Sequence, residues 1–264
     1  MRELILPSLI ASAAVAGFFG FQASQTSAQV ESATFSRSTT PANPVDDVSQ
    51  SPSPVVVELF TSQGCSSCPP ADMLASRLAK DSSLLVISRP ITYWDRLGWK
   101  DTLAREDNTR LQRAYASKGN IGSGVYTPQV VINGGGGAVG SREGNIRSLV
   151  RQAKRVAGPK IKIDRDKSGV TVTINGETEY MAGVSLVALK SSETVQVGYG
   201  ENGGRKLHYT NVVKDERNLG SWTGKSVSFT IPAENLNIFG ADKYAVIVQR
   251  PNAGVIVGAK LLDI

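Results

Sequence analysis

Two cysteines, Cys65 and Cys68, are the residues of this sequence whose types and spacing could most directly do chemistry. They are the only cysteines among 264 residues, and two serines separate them. A C-x-x-C pair can alternate between two thiols and a disulfide, and its thiolate can exchange with a disulfide in another molecule. We therefore predict a redox-active Cys65–Cys68 disulfide that works without a separate cofactor.

Other uses of the pair are less consistent with the sequence. A disulfide across two residues closes a very small loop and constrains the unfolded chain little, which disfavours a purely structural bridge. A zinc site normally needs two further ligands, and the only histidine, His208, lies far along the chain. We predict no metal site, and we keep copper(I) handling by the two thiolates as an alternative function.

The residues on either side of the pair predict the elements that position it. Val55 to Phe60 is apolar and β-branched apart from Glu58, which is typical of a buried strand. After the cysteines, four apolar residues follow the spacing of one helix face: Ala71, Leu74, Ala75 and Leu78. The predicted helix would begin beside Cys65, and its free N–H groups would favour the thiolate of that residue. We expect Cys65 to be nearer the helix start and more exposed than Cys68, which makes Cys65 the nucleophile and Cys68 the resolving thiol.

Strands and helices continue to alternate as far as residue 157. Further strands are predicted at 84–88, 129–133 and 138–139, and further helices at 102–117 and after Ser141. The order strand, helix, strand, helix, strand, strand, helix is that of the thioredoxin fold. We predict an α/β thioredoxin-like domain over residues 55–157.

In that fold a proline with a cis peptide bond lies beside the cysteines, and Pro128 stands at the corresponding position. Proline is the residue for which the cis form costs little, although a trans-proline at a strand start is the alternative. A cis bond would leave the N–H and C=O of Thr127 free to pair with an extended substrate segment. We therefore add Thr127 and Pro128 to the candidate site.

Five more residues are candidates for the site. Glu58 could be a buried proton acceptor for Cys68, or its carboxylate could pair with an Arg or Lys. The candidate substrate-binding residues are aromatic: Tyr93, Trp94, Trp99 and Tyr126. The alternative for the two tryptophans is packing in the core or in a lid.

The two ends of the chain differ from this central part. Residues 1–28 have the features of a signal peptide, with an uncleaved N-terminal anchor as the alternative, and residues 29–54 have the composition of a disordered linker. We expect an exported protein in the periplasm or another extracytoplasmic space, where disulfides persist. From residue 159 to 264 the apolar residues alternate with period two, which predicts an all-β, sandwich-like domain.

Three motifs occur in the order found in one known family: 57–72, 93–101 and 126–129, with further matches at 200–205 and 211–213. The chain thus resembles the DUF1223 family, exported bacterial proteins of uncharacterised function placed in the thioredoxin-like superfamily. The resemblance implies a thioredoxin-like fold and redox chemistry, and it implies no particular substrate.

Together these features predict an exported thiol–disulfide oxidoreductase acting on protein or small-molecule disulfides. The expected partners are a disulfide-containing or dithiol client protein or a small thiol, with a membrane redox protein as a further partner. Nucleic acid is excluded as a partner, since the net charge of +6 comes with no nucleic-acid-binding motif. A thioredoxin-like binding module without turnover is the second alternative.

Overall fold

The computed structural model describes residues 37–38, 53–119, 121–122, 124–154 and 157–262. The predicted signal peptide lies outside these residues, as does most of the predicted linker. No helix in the described part of the chain is long and apolar enough to cross a membrane.

Three α-helices and twelve strands occur within these residues. The helices are α1 (Pro69–Leu78), α2 (Glu106–Ser117) and α3 (Glu143–Ala153). The strands before residue 150 are β1 (Arg37–Ser38), β2 (Val55–Thr61), β3 (Leu84–Pro90), β4 (Gln129–Ile132) and β5 (Gly136–Val139). Those after it are β6 (Lys160–Asp166), β7 (Gly169–Asn175), β8 (Ala182–Gln196), β9 (Lys206–Trp222), β10 (Val227–Pro232), β11 (Lys243–Gln249) and β12 (Ile256–Leu262).

The strands form one large and one small sheet. The large sheet has eight strands in the order β12-β11-β8-β9-β3-β2-β4-β5, and the small sheet has four in the order β1-β10-β7-β6. The fold is therefore mixed α/β, with a large sheet and few helices, which confirms that part of the predicted fold class.

Strand β2 lies inside the large sheet and is buried along its whole length. Val57 and Leu59 pack in the cluster that contains the apolar residues of α1 and α3. Phe60 points to the opposite face, where it packs with Tyr115 of α2. Because both faces of β2 are covered, its sequence is almost continuously apolar instead of alternating.

Strands from both predicted domains are hydrogen-bonded in the same sheet. Ser88 of β3 pairs in parallel with Val212 of β9. Ile87, Val187 and Ile247, from the two sides of residue 158, share one hydrophobic cluster. The boundary between a 55–157 and a 159–264 domain stays a prediction.

A buried ion pair connects the two central strands to their neighbours. Arg89 of β3 donates from Nε to Glu58 Oε1 at 2.6 Å and from Nη1 to Glu216 Oε2 of β9 at 3.0 Å. Tyr115 of α2 donates to the second Glu58 oxygen at 2.7 Å. Burial acts to lower the pKa of the Arg89 guanidinium, but the Glu216 and Glu58 carboxylates outweigh it and hold the pKa above its ordinary value.

Replacing Arg89 by Met should lower the free energy of unfolding by about 3–5 kcal/mol, because Glu58 would be left as an unpaired charge in the core. Urea denaturation measures this loss. The matched control is Arg77→Met, since Arg77 pairs with Glu143 at the surface with 59% and 37% of the side chains exposed. The control should lose less than about 1 kcal/mol, and equal losses in the two variants would contradict the prediction.

Candidate functional site

Cys65 and Cys68 are joined by a disulfide in the turn between β2 and α1, as predicted. The Cys68 N–H donates to the Cys65 carbonyl at 3.1 Å, which closes the turn. Cys68 is the N-cap of α1, and Pro69 and Pro70 fill its first positions, where the helix needs no N–H donor. The sequence around the pair thus forms a tight turn that leads directly into a helix.

The predicted exposure of Cys65 is wrong, because both cysteines are 0% exposed. The helix begins at Pro69, so Cys65 lies in the turn before it and not at its first N–H groups. Ser66 and Ser67, between the cysteines, are the exposed part of the motif. A segment that is distant in sequence contacts the backbone of the cysteine turn.

That segment is the capping loop, residues 197–205, which joins β8 to β9. Asn202, itself 0% exposed, donates from Nδ2 to the carbonyls of Gln63 at 3.0 Å and Cys65 at 2.9 Å. Arg205 donates to the Asn202 side-chain oxygen at 2.7 Å and so fixes the orientation of the amide. The capping loop therefore fixes the backbone of the cysteine turn through two hydrogen bonds.

Glu201 of the capping loop adds a charged contact. Its Oε2 accepts from the Ser66 N–H at 3.1 Å, and hydrogen bonding by Ser66 lowers the pKa of this carboxyl. Sequence reasoning missed Glu201 and Asn202 as site residues. The one available signal was the family-like motif at residues 200–205, since nothing in the local pattern links it to the cysteines.

The peptide bond between Thr127 and Pro128 is cis, as predicted, and it lies next to the cysteine turn. The Ser67 hydroxyl donates to the Thr127 carbonyl at 3.5 Å. The Thr127 N–H has no hydrogen-bond acceptor among the described residues. This arrangement leaves the backbone of Thr127 beside the disulfide with an unused donor.

Both candidate tryptophans donate hydrogen bonds to residues of the site. Trp94 donates from Nε1 to the Thr127 hydroxyl at 2.8 Å, and Trp99 donates from Nε1 to Gln63 Oε1 at 2.8 Å. The Trp99 ring also lies against Gly198 of the capping loop, where a Cβ atom would come within 2.9 Å of the ring. The two side chains therefore position the cis-proline segment and the capping loop, and a substrate-binding role for them stays a prediction.

Among the described residues, the two candidate tyrosines make no hydrogen bond to the cysteine turn. Tyr93 is half-buried and packs in the cluster of Phe60 and Tyr115. The carbonyl of Tyr126, just before the cis-proline segment, accepts from Gln112 of α2 at 2.8 Å. Their contact with a substrate stays a prediction.

Glu58 makes the ion pair that was the alternative to a proton-accepting role. It contacts Tyr115 on the α2 face of β2, whereas α1, which follows the cysteines, packs on the other face. Its service to Cys68 as a proton acceptor stays a prediction.

Two buried carboxyls that sequence reasoning did not select lie near the cysteine turn. Asp72 of α1 is 3% exposed, accepts from the Thr61 hydroxyl at 2.8 Å, and has its pKa raised to about 8, chiefly by burial. Asp101 accepts from the N–H of Gln63 at 2.8 Å, and burial raises its pKa to about 6. Asp72 follows Cys68 by four residues, one helical turn, which is the signal that could have identified it.

Comparison with known proteins agrees with the family resemblance. The family described as "Protein of unknown function (DUF1223)" matches residues 56–249. The chain belongs to this family. No curated protein matches it.

Two solved structures are similar to this DUF1223 chain. The crystal structure of a protein from Agrobacterium tumefaciens has 31% sequence identity and a TM-score of 0.72, covering 81% of this chain and 96% of that one. HBP35 of Porphyromonas gingivalis has 12% identity and a TM-score of 0.51, covering 81% of this chain and 76% of that one. At that identity, the second likeness concerns the fold alone.

Replacing Asn202 by Ala should make the disulfide more accessible, because the capping loop loses two hydrogen bonds to the cysteine turn. With about 1 kcal/mol for each bond, and so about 2 kcal/mol for the two, the rate constant for reduction by dithiothreitol should rise by up to about thirtyfold. His208→Ala is the control, since His208 is exposed on the same hairpin and contacts only Thr194 among the described residues. An unchanged rate in Asn202→Ala would show that the capping loop does not limit access.

The raised pKa of Asp72 predicts how stability depends on pH. Between 3.8 and about 8 the folded protein keeps a proton on Asp72 that the unfolded chain loses, so this group makes stability fall as pH rises through that window. Asp72→Asn removes the effect. The urea midpoint of the variant, measured relative to that of the wild type, should therefore increase steadily from pH 5 to pH 8. The control is Asp164→Asn, at an exposed position, whose urea midpoint should change with pH as that of the wild type does. If the midpoints of Asp72→Asn and the wild type also change with pH in parallel, Asp72 does not have the raised pKa.

Proposed function

We propose that this protein is a thiol–disulfide oxidoreductase whose reacting group is the Cys65–Cys68 disulfide. The observation that carries the proposal is the disulfide across two residues at the start of α1, whose intervening Ser67 contacts the carbonyl of Thr127 in the cis Thr127–Pro128 segment. Such a bridge constrains the unfolded chain little, so exchange with other thiols explains it better than stabilisation does.

The proposed fold of residues 55–157 is thioredoxin-like. The supporting features are the element order β2-α1-β3-α2-β4-β5-α3, the parallel pairing of β2 with β3 and the antiparallel pairing of β4 with β2 and β5. For residues 159–264 we propose a sandwich-like arrangement. Its support is the cluster in which Val172 and Phe229 of the small sheet pack against Leu186 and Val246 of the large sheet.

In the proposed reaction a client thiolate attacks Cys65 Sγ, the bond between the two cysteine sulfurs breaks, and Cys68 leaves as a thiolate. A second client thiolate then attacks the client sulfur of the mixed disulfide and releases the Cys65 thiolate. The client loses two electrons and gains a disulfide, and the cysteine pair gains the two electrons. The reverse sequence reduces a client disulfide, with Cys68 resolving the intermediate.

Both cysteines are buried, so a client must gain access to them before it can react, and we propose that movement of the capping loop provides this access. The unused N–H of Thr127 is the proposed backbone contact for an extended client segment, and the nearby aromatic residues are its proposed walls. We propose a client protein or small thiol as substrate, a membrane protein as redox partner and an extracytoplasmic location. The export-like pattern of residues 1–28 supports the location.

Redox titration of the purified protein against glutathione, followed by thiol alkylation, tests the function. We expect full exchange with a potential between about −270 and −120 mV. A value below roughly −300 mV would indicate a structural bridge and would overturn the proposal. The proposal would also be overturned if the disulfide did not exchange with glutathione even in the Asn202→Ala variant. Tight binding of copper(I) without such exchange would favour the copper alternative.

Single cysteine variants test the assigned roles. Treated with glutathione disulfide, Cys68→Ser should accumulate a stable mixed disulfide between Cys65 and glutathione, with release of one reduced glutathione. Mass spectrometry detects this species, which persists because the resolving thiol is missing. Cys65→Ser should accumulate far less, and the opposite pattern would reverse the two roles.

A further inference from the structure

The segments that a client would approach carry no charge of their own. No charged residue occurs from 59 to 71, which includes both cysteines, or from 124 to 129, which includes the cis peptide bond. The capping loop brings a charge to them, because the exposed Glu201 accepts from the Ser66 N–H at 3.1 Å. Hydrogen bonding by Ser66 lowers the pKa of this carboxyl, so it is ionised at pH 7. A negative charge therefore lies at the exposed part of the cysteine motif.

The other charged groups near the turn leave the Glu201 carboxylate without a cationic partner. Asp72 and Asp101 are carboxyls themselves and are at most 4% exposed, so a client side chain does not reach them. Arg205 is connected to the turn only through the amide of Asn202, whereas Glu201 bonds the turn directly. Within the described part of the chain, no cation contributes to the lowered pKa of Glu201. The carboxylate is therefore available to attract a cation from another molecule.

The conformation of the capping loop fixes the position of Glu201. Gly200 has a φ of 76°, and the N–H of Gly203 donates to its carbonyl at 2.9 Å, so residues 200–203 form a tight turn. The next residue, Asn202, is buried and bonds the carbonyl of Cys65 at 2.9 Å. One residue of the tight turn thus anchors the loop, and its neighbour presents a carboxylate to solvent beside the cysteines.

The carboxylate is close enough to the sulfur of Cys65 to influence its reaction. The Ser66 nitrogen is four covalent bonds from Cys65 Sγ, so the sulfur lies within about 8 Å of the Glu201 carboxylate oxygen. The Debye length at physiological ionic strength is also about 8 Å. A charge that a client carries next to its reacting sulfur is therefore only partly screened from Glu201.

We propose that Glu201 makes the disulfide site selective for client peptides that carry a Lys or Arg beside the reacting cysteine. The cationic side chain of the client pairs with Glu201, while a client carbonyl accepts from the Thr127 N–H; a client carboxylate at the same place is repelled. The net charge of +6 draws anions to the protein as a whole, so the site has the opposite preference to the surface. This inference rests on the proposed function and identifies the class of client within it.

The test is the oxidation of the reduced cysteine pair by three peptide disulfides that differ in one side chain. Each is the symmetric disulfide of a blocked tripeptide X-Cys-Gly, in which X is Lys, Gln or Glu. The Cys65 thiolate attacks one peptide sulfur and releases a peptide thiolate, and the Cys68 thiolate then attacks Cys65 Sγ and releases the second. The protein pair loses two electrons, which the peptide disulfide gains. Alkylation of the remaining protein thiols, followed by mass spectrometry, gives the rate constants.

The measured quantity is the ratio of the rate constants for the Lys and Glu peptides, with the Gln peptide as the neutral reference. At 10 mM ionic strength this ratio should be about fivefold higher in the wild type than in Glu201→Gln, because the two peptides differ by two charges near the carboxylate. Glu201→Lys should lower the ratio further. In 1 M salt the wild type and Glu201→Gln should give equal ratios, since the Debye length falls to about 3 Å. A change in the reactivity of Cys65 itself cancels in the ratio.

The control is Glu234→Gln, which removes an exposed carboxylate just after β10 and changes the net charge equally. It should keep the wild-type ratio. Equal ratios in the wild type and Glu201→Gln at low salt would overturn this inference and leave the proposed function intact, as would an equal change in Glu234→Gln. If the reduced wild type reacts with none of the three disulfides, the proposed function fails and this inference fails with it.

Discussion

The guanidinium of Arg89 is the interaction on which the arrangement of the central strands depends. It bonds Glu58 on β2 and Glu216 on β9 and also donates to Asn108 of α2 at 3.3 Å. A buried arginine is tolerated only when charge and hydrogen bonds compensate the loss of water, so these partners must all be present together. One side chain thereby fixes two neighbouring strands, a helix and a strand from the later half of the chain in a single arrangement.

The same long hairpin that contacts Arg89 also completes the disulfide site. Strand β9 pairs with β3, and the loop before it places the Asn202 amide on the carbonyl of Cys65. The turn that holds the disulfide is thus fixed by residues from both halves of the chain.

Local patterns in the sequence predicted the elements near the site well. The helix predicted at 102–117 is observed at Glu106–Ser117, and the strand predicted at 129–133 at Gln129–Ile132. The disulfide and the cis bond before Pro128 were also predictable, because residue type and spacing restrict the choices strongly.

What the sequence did not predict depends on contacts between distant residues. The hydrogen bond from Asn202 to the Cys65 carbonyl joins residues that are 137 positions apart, and no periodicity links the two. Glu58 could have been a proton acceptor or an ion-pair partner, and only the position of Arg89 on the neighbouring strand distinguishes these. Asp72 was not selected from the sequence, because its bond to Thr61 at the end of β2 joins residues on two different elements.

The separation between Cys65 and Asn202 also has a consequence in time. A chain synthesised from its N-terminus at about 5–20 residues per second leaves the cysteine turn uncovered for roughly ten seconds before Asn202 is made. Until Asn202 is made, the capping loop cannot contact the cysteine turn. The two cysteines can therefore pair before the contact that holds their turn in the finished fold has formed.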